Sequence, residues 1–259
     1  FVKYALRTAD DHAVETVRIP LERAGRFSVC VSSQVGCALG CTFCATGRMG
    51  LKRNLETWEI VEQVRVVRRG LLRDGLSHQG RVHGVVFQGM GEPMANLDRV
   101  LAAIAVMSDP SALAIDARCI TVCTSGLPTG IRRLAKEAPK VRLGLSIGSA
   151  LRPTRVRLMP IERAHSLDDV MDAACEHAEM TGLSPMWAVT LLSNVNDTPD
   201  HARALADLVH RYRERTKRSP RLSIIPYNVI TPDGDADPFE RANEEREATF
   251  RAVLRDVGV

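Results

Sequence analysis

The chain has 259 residues, of which 45% are hydrophobic and 25% charged, and its formal net charge is +4 at pH 7. This composition is typical of an ordinary soluble globular protein, and the mild positive charge permits nucleic-acid binding without demonstrating it. No apolar run is long enough to span a bilayer, no signal peptide is visible, and the seven cysteines do not form a disulfide framework, so the sequence predicts a cytoplasmic protein with no membrane contact.

Taken in order, the chain alternates short apolar strands with amphipathic helices. Two strands at 14–20 and 27–31 form a predicted hairpin ahead of a cysteine-rich loop. Apolar residues then recur at helical spacing within 55–72, with charged residues between them. Further strands are predicted at 84–88, 119–124, 141–146, 186–192 and 222–226, and further helices at 97–107, 131–136, 167–181, 198–215 and 243–256.

Strand–helix alternation of this kind favours parallel strands joined by right-handed crossovers. Five or six such units without a Rossmann glycine fingerprint indicate an α/β fold, a partial (β/α)6 barrel at 30–259 with a short N-terminal β extension at 1–29. In such barrels the reactive groups gather at the carboxyl ends of the strands. The polar, turn-rich segment 231–238 is the predicted mobile loop.

A triplet of cysteines, Cys37, Cys41 and Cys44, follows the hairpin with the spacing C-x3-C-x2-C. Three thiolates this close in sequence can converge on one centre, and a cubane cluster normally takes four. The triplet therefore indicates a [4Fe-4S] cluster with one iron left open for a non-protein ligand. A structural zinc site, which would need a fourth Cys or His at short spacing, and redox-active cysteines are the alternatives.

The triplet resembles the signature of the radical S-adenosylmethionine (SAM) enzymes. The stretches 30–37, 50–56, 89–96 and 224–228 resemble, in the same order, the motifs of the RlmN/Cfr family within that superfamily. The resemblance implies a radical SAM fold, a [4Fe-4S] cluster and S-adenosyl-L-methionine as cofactors, with SAM on the open iron. It also implies a flavodoxin-like electron donor and a ribosomal or transfer RNA substrate, with methylation of an adenosine at C2 or C8.

The same resemblance implies the residues that contact SAM. Gly91 and Glu92 belong to a Gly-Met-Gly-Glu-Pro turn, where Glu92 would accept hydrogen bonds from ribose hydroxyls or from the ammonium group. Ser146 and Asn228 match further SAM contacts of the family. Read without the resemblance, the turn is an ordinary strand–helix loop, Ser146 a polar strand end and Asn228 a turn former.

Two positions near these contacts depart from the family pattern. Cys123 stands where the family has a serine that contacts SAM, and Gly148 stands where it has a histidine. Cysteine is a weak hydrogen-bonding group and glycine has no side chain, so the cofactor contacts must differ at both places. The departures indicate a divergent member and leave the substrate open.

The family reaction implies two further cysteines. One receives a methyl group from SAM and becomes attached to adenine; the other takes a proton from the modified carbon and releases the product, leaving a disulfide. Cys30 matches the second of these, and Glu15 matches a glutamate that would assist proton movement or, read without the resemblance, lies exposed on a strand edge. The methyl-carrying cysteine would fall just beyond Val259, and the sequence has no match for it.

Two basic regions are candidates for RNA contact. The stretch 210–221 carries several cations at a helix end, where they would be equally favourable as solvated residues beside the helix dipole. Arginines that follow the Ser146 loop lie nearer the predicted mouth and are the favoured phosphate contacts. These are Arg152, Arg155, Arg157 and Arg163.

Three interpretations of function stay open. The first is a radical SAM methyltransferase acting on RNA adenosine through a methylated cysteine. The second is a radical SAM enzyme of the same scaffold that acts on a small molecule or peptide without cysteine methylation. The third is a non-catalytic RNA-binding relative with a structural cluster. Cleavage of SAM to 5′-deoxyadenosine would separate the third from the others, and a mass gain on adenosine would separate the first from the second.

Overall fold

Six parallel strands form the centre of the structure, a computed structural model that describes residues 1–76, 80–230 and 237–259. The strands in chain order are β1 (Val2–Arg7), β2 (Ala13–Pro20), β3 (Arg26–Cys30), β4 (Gln34–Val35), β5 (Arg53–Asn54), β6 (Arg81–Phe87), β7 (Ile120–Thr124), β8 (Arg142–Ser146), β9 (Met186–Leu191) and β10 (Arg221–Pro226). Eight of them form one sheet in the order β1-β2-β3-β6-β7-β8-β9-β10, and β4 pairs with β5 separately.

The direction of the strands changes once across this sheet. β1, β2 and β3 pair antiparallel, with Val17 opposite Cys30, and every neighbouring pair from β3 to β10 is parallel. The result is a curled, partial (β/α)6 barrel with an antiparallel extension at one edge, as the sequence predicts. β3 pairs with β2 of the antiparallel extension and with β6 of the barrel. The division of the chain into an extension at 1–29 and a barrel at 30–259 stays a prediction.

Helices connect the parallel strands and cover one face of the sheet. In chain order they are α1 (Ala45–Arg48), α2 (Thr57–Arg73), α3 (Leu97–Ser108), α4 (Pro128–Glu137), α5 (Arg152–Leu158), α6 (Leu167–Thr181), α7 (Pro199–Thr216) and α8 (Glu244–Asp256). Their boundaries have local causes. Ser166 forms a capping box with Asp169 at the start of α6, and Gly182 ends that helix in a left-handed conformation.

The two faces of the sheet differ in chemistry. On the helix-covered face, residues such as Val122, Leu145 and Val189 are buried in the apolar core. Between them, small or polar residues such as Ser146 and Thr190 alternate toward the inner, open side. The core therefore lies between sheet and helices, and the inner side is left free for a ligand.

The two edges of the sheet are β1 and β10. β1 carries Lys3 and Arg7 on exposed positions. β10 ends at Pro226, and the Arg251 guanidinium donates to the Ile224 carbonyl oxygen at 3.4 Å. Across the ranges that the structure describes, no helix is long and apolar enough to cross a bilayer.

The predicted elements from 55 onward are found within a few residues of their expected bounds, and the hairpin is confirmed. The edge strand β1, the short pair β4–β5 and the helices α1 and α5 were not predicted. Most of the loop predicted to be mobile, 231–238, lies outside the described residues.

Candidate active site

A cavity with about 870 Å³ of empty space opens at the carboxyl ends of the parallel strands. The residues that line it come from the cysteine loop, from the ends of β6, β7, β8, β9 and β10, and from the turn after β6. They include Cys37, Cys41, Cys44, Gln88, Gly91, Glu92, Cys123, Ser125, Ser146, Gly148 and Met159.

The three predicted cluster cysteines lie together on this wall, in a loop closed by its own backbone. A Cβ atom at Gly36, where φ is +75°, would overlap the Gly50 carbonyl oxygen. Because only glycine adopts this conformation without strain, Gly36 lets the loop fold back, and the Cys37 N–H then donates to Gly50 at 3.2 Å. The Cys44 N–H donates to the Cys41 carbonyl oxygen at 3.1 Å, and both residues line the cavity.

The donor set fits an iron–sulfur cluster better than a single ion. Burial, followed by the neighbouring Cys44 and Cys37, raises the pKa of Cys41 to about 12, so the thiols are close enough to influence one another. Yet among the described residues no three Cys, His, Asp or Glu approach closely enough to hold one metal ion. A cubane binds each thiolate through a different iron, so its thiolates need not meet at one point. A single zinc ion, the alternative that the sequence leaves open, would need its ligands to converge on one point, and the described residues contain no such set.

The Gly-Met-Gly-Glu-Pro turn packs directly against the segment that enters the cysteine loop. A Cβ atom at Gly91, where φ is +96°, would lie 2.5 Å from the Gln34 Cβ atom, so only glycine fits. The Gln34 side chain accepts a hydrogen bond from the Glu92 N–H at 2.8 Å, and the Ser32 hydroxyl accepts one from the Met90 N–H at 2.9 Å. These contacts fix the turn relative to the cysteines.

Glu92 is buried, with 3% of its surface exposed, and its carboxylate faces the cavity. It accepts hydrogen bonds from the Met94 N–H at 3.0 Å and from the Ser125 N–H at 2.9 Å. Burial raises the pKa of Glu92, and these hydrogen bonds act in the opposite direction. A buried carboxylate of this kind gains most from a cationic ligand, because a positive charge offsets its lost hydration.

Ser146 and Cys123 face the same cavity from the ends of β8 and β7. Cys123 is buried, and burial raises the pKa of its thiol, so it is protonated at neutral pH. The thiol occupies the space that Gly144 leaves open, since a Cβ atom at Gly144 would overlap Cys123 Sγ.

Gly148, the second departure from the family, also lines the cavity, with φ at +66°. A Cβ atom there would overlap the Met159 Sδ atom. Met159 is fully buried and reaches the cavity wall, so its thioether fills space next to the position where the family has an imidazole. At this point of the wall the Met159 thioether stands beside the place of the family's polar imidazole.

Asn228, predicted as a SAM contact, is exposed and does not line the cavity in the part of the chain that the structure describes. The structure brings its neighbour Ile225 to the wall and leaves Asn228 beyond the strand end, before residues outside the described ranges. Its role stays a prediction.

Cys30 ends β3, where the Gln88 N–H donates to its thiol, and, second to burial, it contributes to raising the pKa of Cys123. Burial raises the pKa of Cys30 to about 11, so the group is a thiol at neutral pH. Glu15 lies on β2, two residues from Val17, the partner of Cys30. Both Glu15 and Cys30 therefore face the same side of the sheet, but Glu15 is exposed and pairs with Lys3 at 2.9 Å.

Arg155 is not a phosphate contact, which corrects the prediction. It is fully buried and forms an ion pair with the buried Glu162 at 2.9 Å. Its guanidinium also donates to the carbonyl oxygens of Ser125 at 2.8 Å and Ser146 at 3.2 Å, and to that of Ile147. These carbonyls follow β7 and β8, so Arg155 holds two walls of the cavity together.

The other predicted cations are placed on the surface. Arg152 is exposed and lies 3.6 Å from Glu162, and Arg157 and Arg163 are outside the core. In the stretch 210–221, Arg211 pairs with an aspartate on α6 at 3.4 Å, and Arg215 pairs with two acidic residues of that helix. Two arginines of this stretch are thus neutralised by α6.

The sequence analysis missed three groups that shape the site: Gln34, Ser32 and Met159. Ser32 and Gln34 lie in the stretch 30–37, between a strand and the cysteine loop. Two polar residues at that point are a signal for side chains that hydrogen-bond to the backbone of an adjacent turn. Met159 gave no signal, because its contact with Gly148 depends on the path of α5.

Known proteins are similar to this chain in sequence and in fold. The family model described as the radical SAM superfamily matches residues 31–209. A probable RNA methyltransferase of Sorangium cellulosum is 58% identical over all of this chain and 69% of its own length. The dual-specificity RNA methyltransferase RlmN of Syntrophobacter fumaroxidans is 39% identical over 99% of this chain and 70% of its own length. The crystal structure of a radical SAM methyltransferase from Sphaerobacter thermophilus superposes with a TM-score of 0.89 at 35% identity, covering 99% of this chain and 71% of that one.

Proposed function

This chain belongs to the radical SAM superfamily and, within it, to the RlmN-type RNA methyltransferases, and from that membership we propose that it methylates an adenosine of RNA at C2 or C8. The observation that carries the proposal is one cavity in which three cysteines, a buried glutamate and the ends of β7 and β8 meet. The relatives are RNA methyltransferases, which favours the first interpretation of the sequence over an enzyme for small molecules or peptides.

In this proposal Cys37, Cys41 and Cys44 would hold a [4Fe-4S] cluster through their thiolates. Once bound, the cluster would supply the electron for cleavage of SAM. Glu92 takes the ammonium group or ribose of SAM, since its buried carboxylate gains from a cation or a hydroxyl donor. Gly91 lets the backbone approach the cofactor.

Further SAM contacts in the proposal come from Ser146, Cys123 and Asn228. Ser146 donates or accepts through its hydroxyl at the end of β8. Cys123 contributes its neutral, buried thiol where a serine would form a stronger hydrogen bond. Asn228 would have to approach the cavity from beyond the end of β10.

Cys30 is the proposed resolving cysteine and Glu15 the proposed proton acceptor. Because burial raises the pKa of Cys30 to about 11, its proton must leave before the sulfur can act, and a carboxylate on the same side of the sheet is suited to that. Glu15 would first have to exchange its ion pair with Lys3. A cytoplasmic setting and a flavodoxin-like electron donor complete the proposal, because the cluster needs reducing surroundings and an electron source.

The test uses the protein purified from its native source, with its cluster reconstituted under anaerobic conditions. It is incubated with SAM, a reductant and a fragment of large-subunit ribosomal RNA. We expect 5′-deoxyadenosine to form and one adenosine to gain the mass of a methyl group, and nuclease digestion would identify the carbon. A Cys37→Ala variant should lose both products, whereas Cys30→Ala should still cleave SAM and fail to release methylated RNA. Formation of 5′-deoxyadenosine without any gain of mass on the RNA would contradict the proposal.

A further inference from the structure

Four arginines lie at the end of the half-barrel opposite the cavity. Parallel strands begin at a common edge of a sheet, and four of the six parallel strands here begin with arginine. This arginine rim consists of Arg26 on β3, Arg81 on β6, Arg142 on β8 and Arg221 on β10. The strands are five to seven residues long, so the rim is roughly 20 Å from the cysteine loop.

The rim brings like charges together. Arg26 and Arg81 are direct partners in the register of β3 and β6, an arrangement that is destabilising unless an opposite charge is present. Arg142 and Arg221 flank the start of β9: the Arg142 guanidinium donates to the Ser184 carbonyl oxygen, and the Arg221 backbone N–H donates to the Pro185 carbonyl oxygen at 2.9 Å. Burial, followed by the Arg221 charge, lowers the pKa of Arg142. The rim thus holds one pair of arginines in register and a second pair on either side of β9.

Carboxylates do not neutralise this rim within the ranges that the structure describes. None of its four arginines forms an ion pair there, and the acidic Asp116 nearby is bound by Arg118 at 2.6 Å. Arginines on the outer helices behave differently: Arg133 pairs with Glu137 at 2.8 Å and Arg65 with Glu62 at 3.1 Å. Arg81 and Arg221 are also exposed, so they can reach an external anion.

We infer that the arginine rim binds the phosphate backbone of the RNA substrate at a second site, on the opposite end of the barrel from the reacting base. This inference rests on the proposed function. Guanidinium groups without carboxylate partners are suited to phosphate oxygens, and Arg81 and Arg221, the two exposed members of the rim, are the ones that can reach them. A segment that touches the rim must lie roughly 20 Å from the base in the cavity. The substrate class is therefore a folded RNA of several helices, since a single short stem–loop in the cavity would not reach the rim.

An acidic protein is the competing partner, and the position of the rim disfavours an electron donor. A donor must approach the cluster cysteines, and these lie at the carboxyl ends of the strands. The rim lies at the amino ends, with the length of the strands between.

The experiment measures binding of two RNAs by the native, cluster-loaded protein as a function of salt. One RNA is a multi-helix fragment of large-subunit ribosomal RNA, and the other is the isolated stem–loop that carries the target adenosine. In Arg81→Gln/Arg221→Gln, we expect affinity for the long RNA to fall about tenfold and its salt slope to fall by about 2, with the stem–loop unaffected. The Arg81→Lys/Arg221→Lys variant should keep most of the affinity, because it keeps the charge.

The matched control is Arg65→Gln/Arg203→Gln, which removes two exposed arginines that already have carboxylate partners. It should bind both RNAs like the unmodified protein. Equal losses for both RNAs in the rim variant, or a loss as large in the control or the lysine variant, would overturn the inference. If the rim variant binds RNA normally but loses the activity that a protein electron donor supports, the inference is overturned in favour of a protein partner. Failure of the unmodified protein to bind or methylate either RNA would instead count against the proposed function.

Discussion

At the scale of single residues, buried polar groups are where the chain is most sensitive. His177 on α6 has 2% of its surface exposed, and Thr181 Oγ1 lies 3.4 Å from its Nδ1 atom. Its Nε2 atom is buried with no partner in the described ranges. Burial lowers the pKa of His177 from 6.5 to about 4, because the imidazolium cannot be hydrated there.

This lowered pKa predicts acid sensitivity. Between about pH 6.5 and 4 the unfolded chain binds the proton and the folded chain does not, so the free energy of unfolding falls as the pH falls. We expect the contribution of His177 to change by on the order of 2 kcal/mol across that window. Urea unfolding of the protein and of His177→Leu at several pH values measures it. Parallel pH profiles of the two proteins would contradict the assignment.

Arg155 is the second sensitive residue. Replacing it with methionine leaves Glu162 buried without its ion pair and frees the carbonyls of Ser125 and Ser146, so we expect a loss of about 3–5 kcal/mol in the free energy of unfolding. The matched control is Arg152→Met. Arg152 is 76% exposed at its side chain and 3.6 Å from Glu162, so its loss should change stability by less than about 1 kcal/mol. Similar losses in both variants would show that Arg155 does not join the two cavity walls.

At the scale of elements, β7 and β8 are fitted closely to one another at one position. Gly144 is paired in register with Cys123, and the cysteine thiol occupies the space where a Cβ atom would be. This contact lies directly below the cavity wall that Cys123 and Ser146 form, so the strand pair and the site share one packing constraint.

A double-mutant cycle tests that constraint. Gly144→Ala should destabilise the protein by about 1–3 kcal/mol because the new methyl group overlaps the thiol. Adding Cys123→Ala should restore part of the loss, giving a coupling energy larger than about 0.5 kcal/mol. The same glycine change combined with Cys175→Ala, a buried cysteine on α6, should be additive. Additive losses for the Cys123 pair in thermal or urea unfolding would rule out the contact.

At the scale of the whole molecule, the large apolar core and the cysteine loop are packed separately. The continuous apolar core lies between sheet and helices, and Cys41 belongs to a smaller cluster with Leu158 and Tyr227. The large core contains none of the three cluster cysteines. The site is thus added to a scaffold that is stable by its own packing.

Removal of iron should therefore leave the fold intact. After chelation, we expect the far-ultraviolet circular dichroism to be unchanged, the unfolding midpoint to fall only by the linkage of the bound cluster, and new proteolytic cleavage to appear within residues 37–50. A Cys44→Ser variant should behave like the chelated protein and show no further change with chelator. Loss of helical signal on chelation would show that the cluster carries the fold.

The sequence predicted most of this architecture because its long-range order follows from local patterns. Apolar periodicity identified the helices and buried strands, and the cysteine triplet is local enough to be read directly. β1 was missed because its alternation is weak and it depends on pairing with β2. The role of Arg155 was wrong because its partners, Ser125 and Ser146, are distant in sequence. The arginine rim could not be predicted, since its members are brought together only by the parallel strand order.

The edges of the open sheet have a consequence for self-association. A half-barrel leaves two strands with unpaired backbone groups, and such edges can recruit a second chain into a growing fibril. Here Lys3 and Arg7 charge one edge. On the other, Pro226 removes a backbone donor and Arg251 occupies the Ile224 carbonyl. Each described edge of the half-barrel therefore carries a feature that hinders pairing with the backbone of another chain, while the inner side stays open.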